Sequence, residues 1–439
     1  DHVRLSPQEV ELQTMEWRRV DLFSLLECEL ALKGCTHAYY LVHSMMPSAR
    51  LTQASFDDLD LLLADNFARA AKAAGVQRII YLGGILPDGD VSDHLRSRRE
   101  VEEALESTGI PVVSVRAGLV LGPGGSSTEI VTKLVDRLPV MACPSWTGTQ
   151  SNPIDLEDLV PLLVALLEAK DAPSVVDVGG TEIVSYRELM RRTASVLGVR
   201  RSFLSIPLFT PGLSTLWVSL ITGSSRALVR PLVQSLKHPM LPKLNEWQQN
   251  NQPPQVPLDE SLARAALTEQ SPRSISLATK QLQVRLALPR NTVRSVQRLV
   301  NPVGLQASEV ARKYIEWLPR FFRSFVRVER ADNQICFSLL GWRPFLLVLE
   351  PVIERSESSR ALFYVQGGAL ARPNKSLRAR LEFREVLDDG TLLAAIHDFV
   401  PRLPWFVYNL TQAIGHLWVM RSFGKYLREN PAPAQKPLS

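Results

Sequence analysis

Short apolar runs alternate with helical segments through the first half of this 439-residue chain. Runs that suit buried strands lie at 38–42, 78–82, 111–115 with 118–121, and 175–178. Apolar residues at helical spacing lie at 59–74, 101–107, 152–170 and 185–197. Buried strands that alternate with amphipathic helices are typical of a parallel sheet covered by helices. The predicted fold class of this half is therefore α/β with a parallel sheet.

The second half has a different pattern. Strands are predicted at 326–330, 335–340, 346–353, 361–366, 377–386 and 392–400, followed by one apolar helix at 405–427. Asp389-Gly390 is a hairpin signal between the last two strands. Strands in succession with a closing helix predict an antiparallel α+β domain.

The composition changes at 240–255, which is rich in proline, glutamine and asparagine. We therefore predict a first domain over 1–239, a linker or irregular segment over 240–308, and a C-terminal domain over 309–439. Within the middle segment, 271–308 is basic and weakly patterned, and the sequence assigns it no element.

Composition excludes several classes of protein. With 45% hydrophobic and 22% charged residues the chain is globular, and its four cysteines form no C-x-x-C pair. A disulfide framework or a zinc site is not expected, and His43 and His397 are isolated, so no metal is expected. The net charge of +5 comes from scattered arginines, which favours no nucleic-acid partner. Without a signal peptide, the predicted location is the cytoplasm.

The candidate binding residues lie where the predicted parallel strands end, since a doubly wound sheet binds dinucleotides at that edge. They are Val42, His43 and Ser44 after the first strand, Gly83 and Gly84 after the second, and Arg116, Ala117 and Gly118 in the third. Glycines there let a backbone approach a ligand closely. The same glycines could equally form a simple turn.

Several of these segments occur in a recognisable order: AYYLVHSM at 38–45, RIIYLGGI at 78–85, SDHLRSRREV at 92–101 and RAGLVLGPG at 116–124, continued by 138–158. They resemble the atypical short-chain dehydrogenase/reductases, in particular bacterial NAD(P)H-binding, NmrA-like proteins. The segments 363–371 and 394–405 resemble an extra C-terminal domain of that group, a helix-grip fold in which a curved sheet wraps a long helix. The resemblance implies a Rossmann-like domain that binds NAD(P)H and reduces a carbonyl or quinone-like substrate.

The sequence departs from that family in its phosphate-binding part. The family's G-x-x-G-x-x-G turn belongs to the first β-α-β unit, whereas this chain begins at Asp1 near the expected third strand, at 16–20. We therefore expect a fragment or processed product whose Rossmann-like domain is N-terminally incomplete. Such a chain would bind dinucleotide poorly, because that turn holds the pyrophosphate.

A second departure concerns catalysis. The family's Tyr-x-x-x-Lys pair aligns with His94 and Arg98, and its serine aligns with Gly83-Gly84. Histidine can exchange a proton near neutral pH, and arginine can hold a ribose hydroxyl or phosphate. The departures favour a non-catalytic or unconventional dinucleotide site, such as that of a sensing regulator or assembly factor, over a standard reductase. Both residues could also belong to a solvated helix face.

Two apolar stretches leave membrane contact open. Residues 202–225 carry no charge, but prolines, a glycine and many hydroxyl residues argue against a simple span. Residues 403–420 contain Trp405, Phe406 and Trp418, as an interfacial helix would. A buried helix is the favoured interpretation of both. Peripheral membrane contact and a hydrophobic-ligand carrier, with these three rings lining its cavity, are the alternatives.

Overall fold

The structure is a computed structural model. It describes residues 16, 18–43, 49–87, 93–206, 236–243, 246–270, 290–301, 304–373, 379–387 and 390–430, together with single residues between 212 and 235.

The first half contains a parallel sheet of four strands in the order β1-β3-β4-β9. These strands are β1 (His37–Tyr40), β3 (Arg78–Gly84), β4 (Val112–Ala117) and β9 (Val175–Val178). Helices α2 (Phe56–Ala74), α3 (Asp93–Glu106) and α5 (Leu156–Glu168) connect them. Neighbouring strands are joined by helical crossovers, which is the Rossmann-like pattern predicted from the alternating sequence.

Strands β3, β4 and β9 bury residues on both of their faces, whereas β1 alternates exposed and buried residues. Ile79 and Tyr81 pack with α2 and α3, whereas Ile80 packs with Leu162 and Leu166 of α5. Successive side chains of a strand point to opposite faces, so a continuous apolar run is needed when helices cover both.

Helix α2 is buried almost all round. The predicted helix over 59–74 begins earlier, at Phe56, where Ser55 Oγ accepts from Asp58 N at 3.3 Å, and Gly75 ends it in the left-handed conformation. Consecutive residues from Leu61 to Ala64 are buried. One side contacts the parallel sheet and the other contacts Val296, Leu393 and Ala395 of a second sheet, so both sheets bury this helix.

The rest of the first half forms smaller units beside the parallel sheet. The paired strands are β5 (Val120–Leu121) with β8 (Ile154–Asp155), β6 (Val140–Pro144) with β11 (Ser202–Ile206), and β7 (Gln150–Ser151) with β10 (Val184–Ser185). The helices are α1 (Leu25–Leu32), α4 (Ser126–Arg137), α6 (Tyr186–Val196), α7 (Glu246–Asn251) and α8 (Leu258–Gln270).

The second sheet has eight strands in the order β13-β14-β15-β16-β17-β18-β12-β2. They are β12 (Arg290–Val300), β13 (Val326–Ala331), β14 (Gln334–Leu339), β15 (Trp342–Pro351), β16 (Arg360–Gly367), β17 (Arg380–Glu385), β18 (Thr391–Phe399) and β2 (Ala49–Gln53). All pairs are antiparallel except β12 with β2. The antiparallel sheet predicted for the second half is confirmed, and β2 joins it from the first half.

Helices α9 (Ala307–Phe321) and α11 (Gln412–Glu429) cover the other face of the antiparallel sheet. Helix α10 (Trp405–Leu410) precedes α11, and Thr411 separates the two. The prediction of one continuous helix over 405–427 is therefore wrong, because Thr411 has non-helical dihedral angles. That region is two helices.

Several further boundaries differ from prediction: for example, α3 begins at Asp93 and not at 101, and β15 covers Trp342–Pro351 where 346–353 was predicted. The described residues 16 and 18–20 form no strand, so the expected third strand is not seen there. The helix predicted over 152–170 begins at Leu156, where Asp155 Oδ1 accepts from Glu157 N at 2.7 Å, and Ile154–Asp155 pairs as β8. Between 240 and 308 the structure places α7, α8 and β12, and the proposed domain division stays a prediction.

Among the helices within the described residues, none combines the length and apolar character needed to cross a membrane.

Candidate functional site

The carboxyl ends of β3 and β4 lie side by side. Their parallel register pairs Gly83 with Arg116 and Gly84 with Ala117, and Ile85 N donates to Ala117 O at 3.1 Å. Gly118 follows directly. The sheet therefore brings together five of the candidate residues named from the sequence.

His43, just beyond β1, contacts α2. Its Nδ1 lies 2.7 Å from Oδ2 of Asp60, a carboxylate that is buried. The sequence did not indicate this partner, because the two residues belong to different elements. Val42 packs against the cluster formed by the parallel sheet and α2, and Ser44 lies outside the described residues.

Arg98 lies over the end of β3. A Cβ added to Gly84 would sit 3.8 Å from Arg98 Cγ and 3.9 Å from Leu95 Cδ2, and the buried Tyr81 hydroxyl donates to Arg98 O at 3.4 Å. Burial raises the pKa of Tyr81, and the Arg98 guanidinium opposes that shift. The same guanidinium opposes the raised pKa of the buried Tyr40, so it lies close to the tyrosine hydroxyls at this end of the sheet.

The backbone of His94 belongs to α3, one turn before Arg98, and its side chain lies outside the described residues. The spacing of four keeps the two positions on one face of the helix. The role predicted for His94 stays a prediction.

Arg116 has a structural partner. Its Nη2 and Nε donate to the two carboxylate oxygens of Glu102 on α3, at 2.6 and 3.1 Å. This bidentate pair ties β4 to α3, because the planar guanidinium matches the carboxylate geometry. Glu102 therefore occupies the Nε and Nη2 donors through which Arg116 would bind a ligand.

An apolar cavity of about 150 Å³ adjoins the ends of β3 and β4. Gly84, Ala117 and Gly118 form its border at the sheet, and its other walls come from α4, α6 and the segment before α7. The wall residues include Leu95, Ser127, Val131, Leu134, Trp146, Tyr186, Met190 and Met240. A cavity of this volume accommodates about one benzene-sized ring.

Sequence patterns did not reveal these wall residues. Met240 falls at the start of the segment interpreted as a linker, yet it is buried. A Cβ added to Gly118 would lie 3.0 Å from the Cβ of Met240. Met240 N donates to Gln150 O, and Met240 O accepts from Asn152 N. No local signal identifies such contacts, because they depend on how distant elements meet.

Gly179 and Gly180 extend this edge after β9. A Cβ on Gly179 would lie 1.6 Å from Asn152 Oδ1, so only glycine fits. Gln248 of α7 is buried and bonds both backbone groups of Gly179: its Nε2 donates to the carbonyl at 2.8 Å, and its Oε1 accepts from the amide at 3.1 Å. The sequence interpretation missed this close approach.

The described residues fit one end of a dinucleotide. The glycine backbones, the Arg98 charge and the adjoining cavity suit a ribose and a flat ring. The pyrophosphate end is less well matched, since the first turn of α2 carries Asp57 and Asp58, which disfavour an anion at that helix N-terminus. A phosphate-holding turn is not seen in the part of the chain that the structure describes.

The strand order, the helices on both faces of the sheet and the candidate site at its carboxyl edge define a Rossmann-like α/β protein to which an antiparallel sheet is added. No model of a known protein family matches the chain. It is 33% identical over 138 residues to the auxiliary protein GraX of Staphylococcus aureus, a match that covers 31% of this chain and 43% of GraX. The chain thus spans less than half of that curated relative.

Solved structures resemble the chain over somewhat more than half of its length. A nucleoside-diphosphate-sugar epimerase from Staphylococcus aureus has a TM-score of 0.44 and 18% identity, covering 56% of this chain and 82% of that one. The triphenylmethane reductase of a Citrobacter species, complexed with NADP(H), has a TM-score of 0.45 and 16% identity, covering 59% and 86%. Similarity at this level concerns the fold alone.

Proposed function

We propose that this chain belongs to an NAD(P)H-binding protein of the atypical short-chain dehydrogenase/reductase type, acting on a carbonyl or quinone-like substrate. The observation that carries the proposal is the apolar cavity of about 150 Å³ beside Gly84 and Gly118. Apolar pockets at the carboxyl edge of a parallel sheet are common ligand sites. Its volume matches a single ring, as in a small quinone or aromatic aldehyde.

Two residues have proposed roles. Arg98 holds a ribose or phosphate oxygen through its guanidinium, since it lies against Gly84. His94 donates a proton to the substrate oxygen, because histidine can exchange protons near neutral pH. A bound nicotinamide cofactor supplies the hydride that reduces the carbonyl carbon. Val42, His43 and Ser44, which follow β1 in the sequence, are proposed as further contacts to the cofactor.

Binding is tested by titrating the chain with NADPH and following nicotinamide fluorescence. We expect weak, saturable binding that Arg98→Met reduces by roughly tenfold, the loss of one good charged contact. The matched control is Arg99→Met, an exposed arginine next along the same helix, which should leave affinity unchanged. If the unaltered chain shows no saturable binding, or both variants bind equally, this cofactor site is ruled out for the chain.

Turnover is tested separately by mixing the chain with NADPH and a panel of benzoquinones, naphthoquinones and aromatic aldehydes. A reductase would consume NADPH only when substrate is present, and His94→Phe would remove most of that activity while leaving NADPH affinity intact. Equal turnover by the His94 variant would contradict the proposed proton donor.

A dinucleotide-sensing regulator is the second candidate. Glycines occupy the position of the family's serine, and histidine and arginine replace its tyrosine and lysine. The partial similarity to GraX, which is named an auxiliary protein, also supports a non-catalytic role. NADPH binding that depends on Arg98, with no turnover of any panel member, would favour this candidate over the reductase.

A further inference from the structure

We propose that the antiparallel half of the chain docks on a bilayer that carries anionic lipids. The docking surface, called the aromatic-basic face, consists of Phe322, Phe325, Leu340, Trp342 and Trp418 with Arg323, Arg327 and Arg421. This inference is independent of the proposed cofactor site, because its residues lie on α11, at the end of α9 and on the β14–β15 hairpin.

The rings on the helical side of this face contact one another. Trp418 of α11 lies 4.7 Å from Phe321 and 6.0 Å from Phe322 between ring centroids, and Phe321 and Phe322 are 5.1 Å apart. The exposed Ile414 lies one helical turn before Trp418 on the same side of α11. These contacts join the middle of α11 to the end of α9.

Backbone hydrogen bonds extend the face to the hairpin. Phe325 N donates to Phe322 O at 2.9 Å, and Leu340 N donates to Phe325 O at 2.7 Å. Leu339 is paired with Trp342 across the hairpin turn. The α9–β13 loop and the tip of the β14–β15 hairpin therefore lie together.

The large side chains of this face are exposed. Trp342 is 71% exposed, Phe325 57% and Trp418 53%, with Leu340 at 40%. Contiguous exposed apolar side chains of this size mark interaction surfaces in folded proteins. Tryptophan and phenylalanine are favoured at the membrane–water interface, where an aromatic ring lies at headgroup level.

The face itself carries basic residues only, and the acidic residues Glu316, Glu329 and Glu429 lie directly beyond its segments, where Glu429 pairs with Lys425 at 3.6 Å. The segments 317–328, 335–349 and 399–428, which supply the face and its surroundings, contain no aspartate or glutamate. They contain eight basic residues, all exposed: Arg320, Arg323, Arg327, Arg343, Arg402, Arg421, Lys425 and Arg428. The whole chain carries nearly as many acidic as basic residues, 45 against 50, so this segregation is local.

Individual cations lie beside the rings. Arg327 Nη1 is 3.3 Å from the position of a Cβ on Gly341, next to Trp342, and Arg421 follows Trp418 by three residues on α11. The negative surface potential of a bilayer with anionic lipids attracts basic residues that lie close to it. The same cations would repel one another across an interface between two copies of this face, which disfavours self-association as the occupant.

The test is sedimentation of the chain with phosphatidylcholine vesicles, with and without phosphatidylserine. We expect binding to the anionic vesicles that weakens with added salt and little binding to the neutral ones. Trp342→Ala with Trp418→Ala should lower the partition coefficient by at least roughly tenfold, because two interfacial rings are lost. Arg323→Glu with Arg421→Glu should lower it by about fivefold or more for each residue.

Matched controls distinguish docking through this face from non-specific adsorption to vesicles. Ile353 is 74% exposed beyond the opposite end of β15 from Trp342, so Ile353→Ala should not change vesicle binding. Arg312→Glu, on the exposed side of α9 where Arg312 faces Glu316, should have little effect. The circular dichroism of each variant checks folding, and the charge variant tests the proposal even if the tryptophan variant fails to fold.

Equal binding to neutral and anionic vesicles, or equal binding by the charge variant and its control, would overturn the proposal. So would a concentration-dependent dimer that the tryptophan variant abolishes without any effect on vesicle binding, which would assign the face to a second copy.

Discussion

Arg384 on β17 donates a hydrogen bond of 2.6 Å from Nη1 to Oδ2 of Asp65 on α2, and both side chains are buried. The two residues are 319 positions apart in the chain. Arg298 of β12 makes a similar contact, donating to Asp58 of α2 at 2.7 Å and to both oxygens of Glu100 on α3. Arginines of the antiparallel sheet therefore meet carboxylates of the helices that cover the parallel sheet.

Removing the Arg384 guanidinium should destabilise the whole molecule. Arg384→Met removes a buried charge that Asp65 and Glu382 share, leaving Asp65 only with Arg69 and Glu382 only with Arg360 among the arginines that the structure describes. The loss of a partner from a buried ion pair costs up to about 3–5 kcal/mol. Urea denaturation followed by circular dichroism measures the effect. The control is Arg191→Met in the exposed pair with Glu188, where we expect a change within about 0.5 kcal/mol. Equal losses in the two variants would contradict the structural importance of the buried pair.

Stability should fall as the pH is lowered from about 6.5 towards 4. Burial, helped by the nearby Arg380, lowers the pKa of His397 from 6.5 to about 4, although Glu382 and Asp398 oppose that shift. The unfolded chain then binds a proton that the folded chain excludes, so folding is disfavoured within this window. Each pH unit corresponds to about 1.4 kcal/mol, so the contribution between pH 6.5 and about pH 5 is roughly 2 kcal/mol.

The measurement is the free energy of unfolding at several pH values for the unaltered chain and two variants. His397→Gln should flatten the dependence between about pH 6.5 and 5 by roughly 2 kcal/mol. His37→Gln, which changes an exposed histidine, should leave the curve parallel to that of the unaltered chain. A curve for His397→Gln that is merely displaced, with the same slope, would show that His397 does not titrate as described.

Filling the apolar cavity should block ring binding. Ser127 lines the cavity from α4, and Ser127→Phe would occupy the space of about one ring. Benzoquinone binding, followed through quenching of tryptophan fluorescence with Trp146 in the cavity wall, should weaken by at least roughly tenfold, since burial of one ring is worth more than about 1.4 kcal/mol. Asp136→Phe, on the exposed side of the same helix, is the control. Unchanged quenching by both variants would place the quinone elsewhere.

Gln248 should stabilise the backbone that follows β9. Gln248→Leu leaves the buried amide and carbonyl of Gly179 without partners, at about 1–3 kcal/mol for each group. Gln249→Leu changes an exposed glutamine next along the chain and should be close to neutral. Thermal unfolding of the two variants makes the comparison, and a neutral Gln248→Leu would mean that the segment 240–255 is not held against the sheet.

Much of the fold could be predicted from local pattern. Residues 175–178 form a strand with the predicted bounds, and α2 ends at residue 74 as predicted, because apolar periodicity and a following glycine in the left-handed conformation are properties of neighbouring residues. The break at Thr411 was not predictable in this way, since apolar residues continue on both sides of it. The candidate residues Gly84, Ala117 and Gly118 were also found from sequence, because strand ends in a parallel sheet share one edge.

The two kinds of sheet, their order along the chain and the residues at the edge of the parallel sheet could be predicted from local patterns. The position of α2 between both sheets, the addition of β2 to the antiparallel sheet and the closure of a cavity by Met240 beside Gly118 could not. Periodicity reports which residues are buried, whereas the partner of a buried group is set by packing between segments far apart in the chain. Asp65 shows this: its position on α2 follows from helical spacing, but its ion pair with Arg384 exists only because the second sheet packs against that helix.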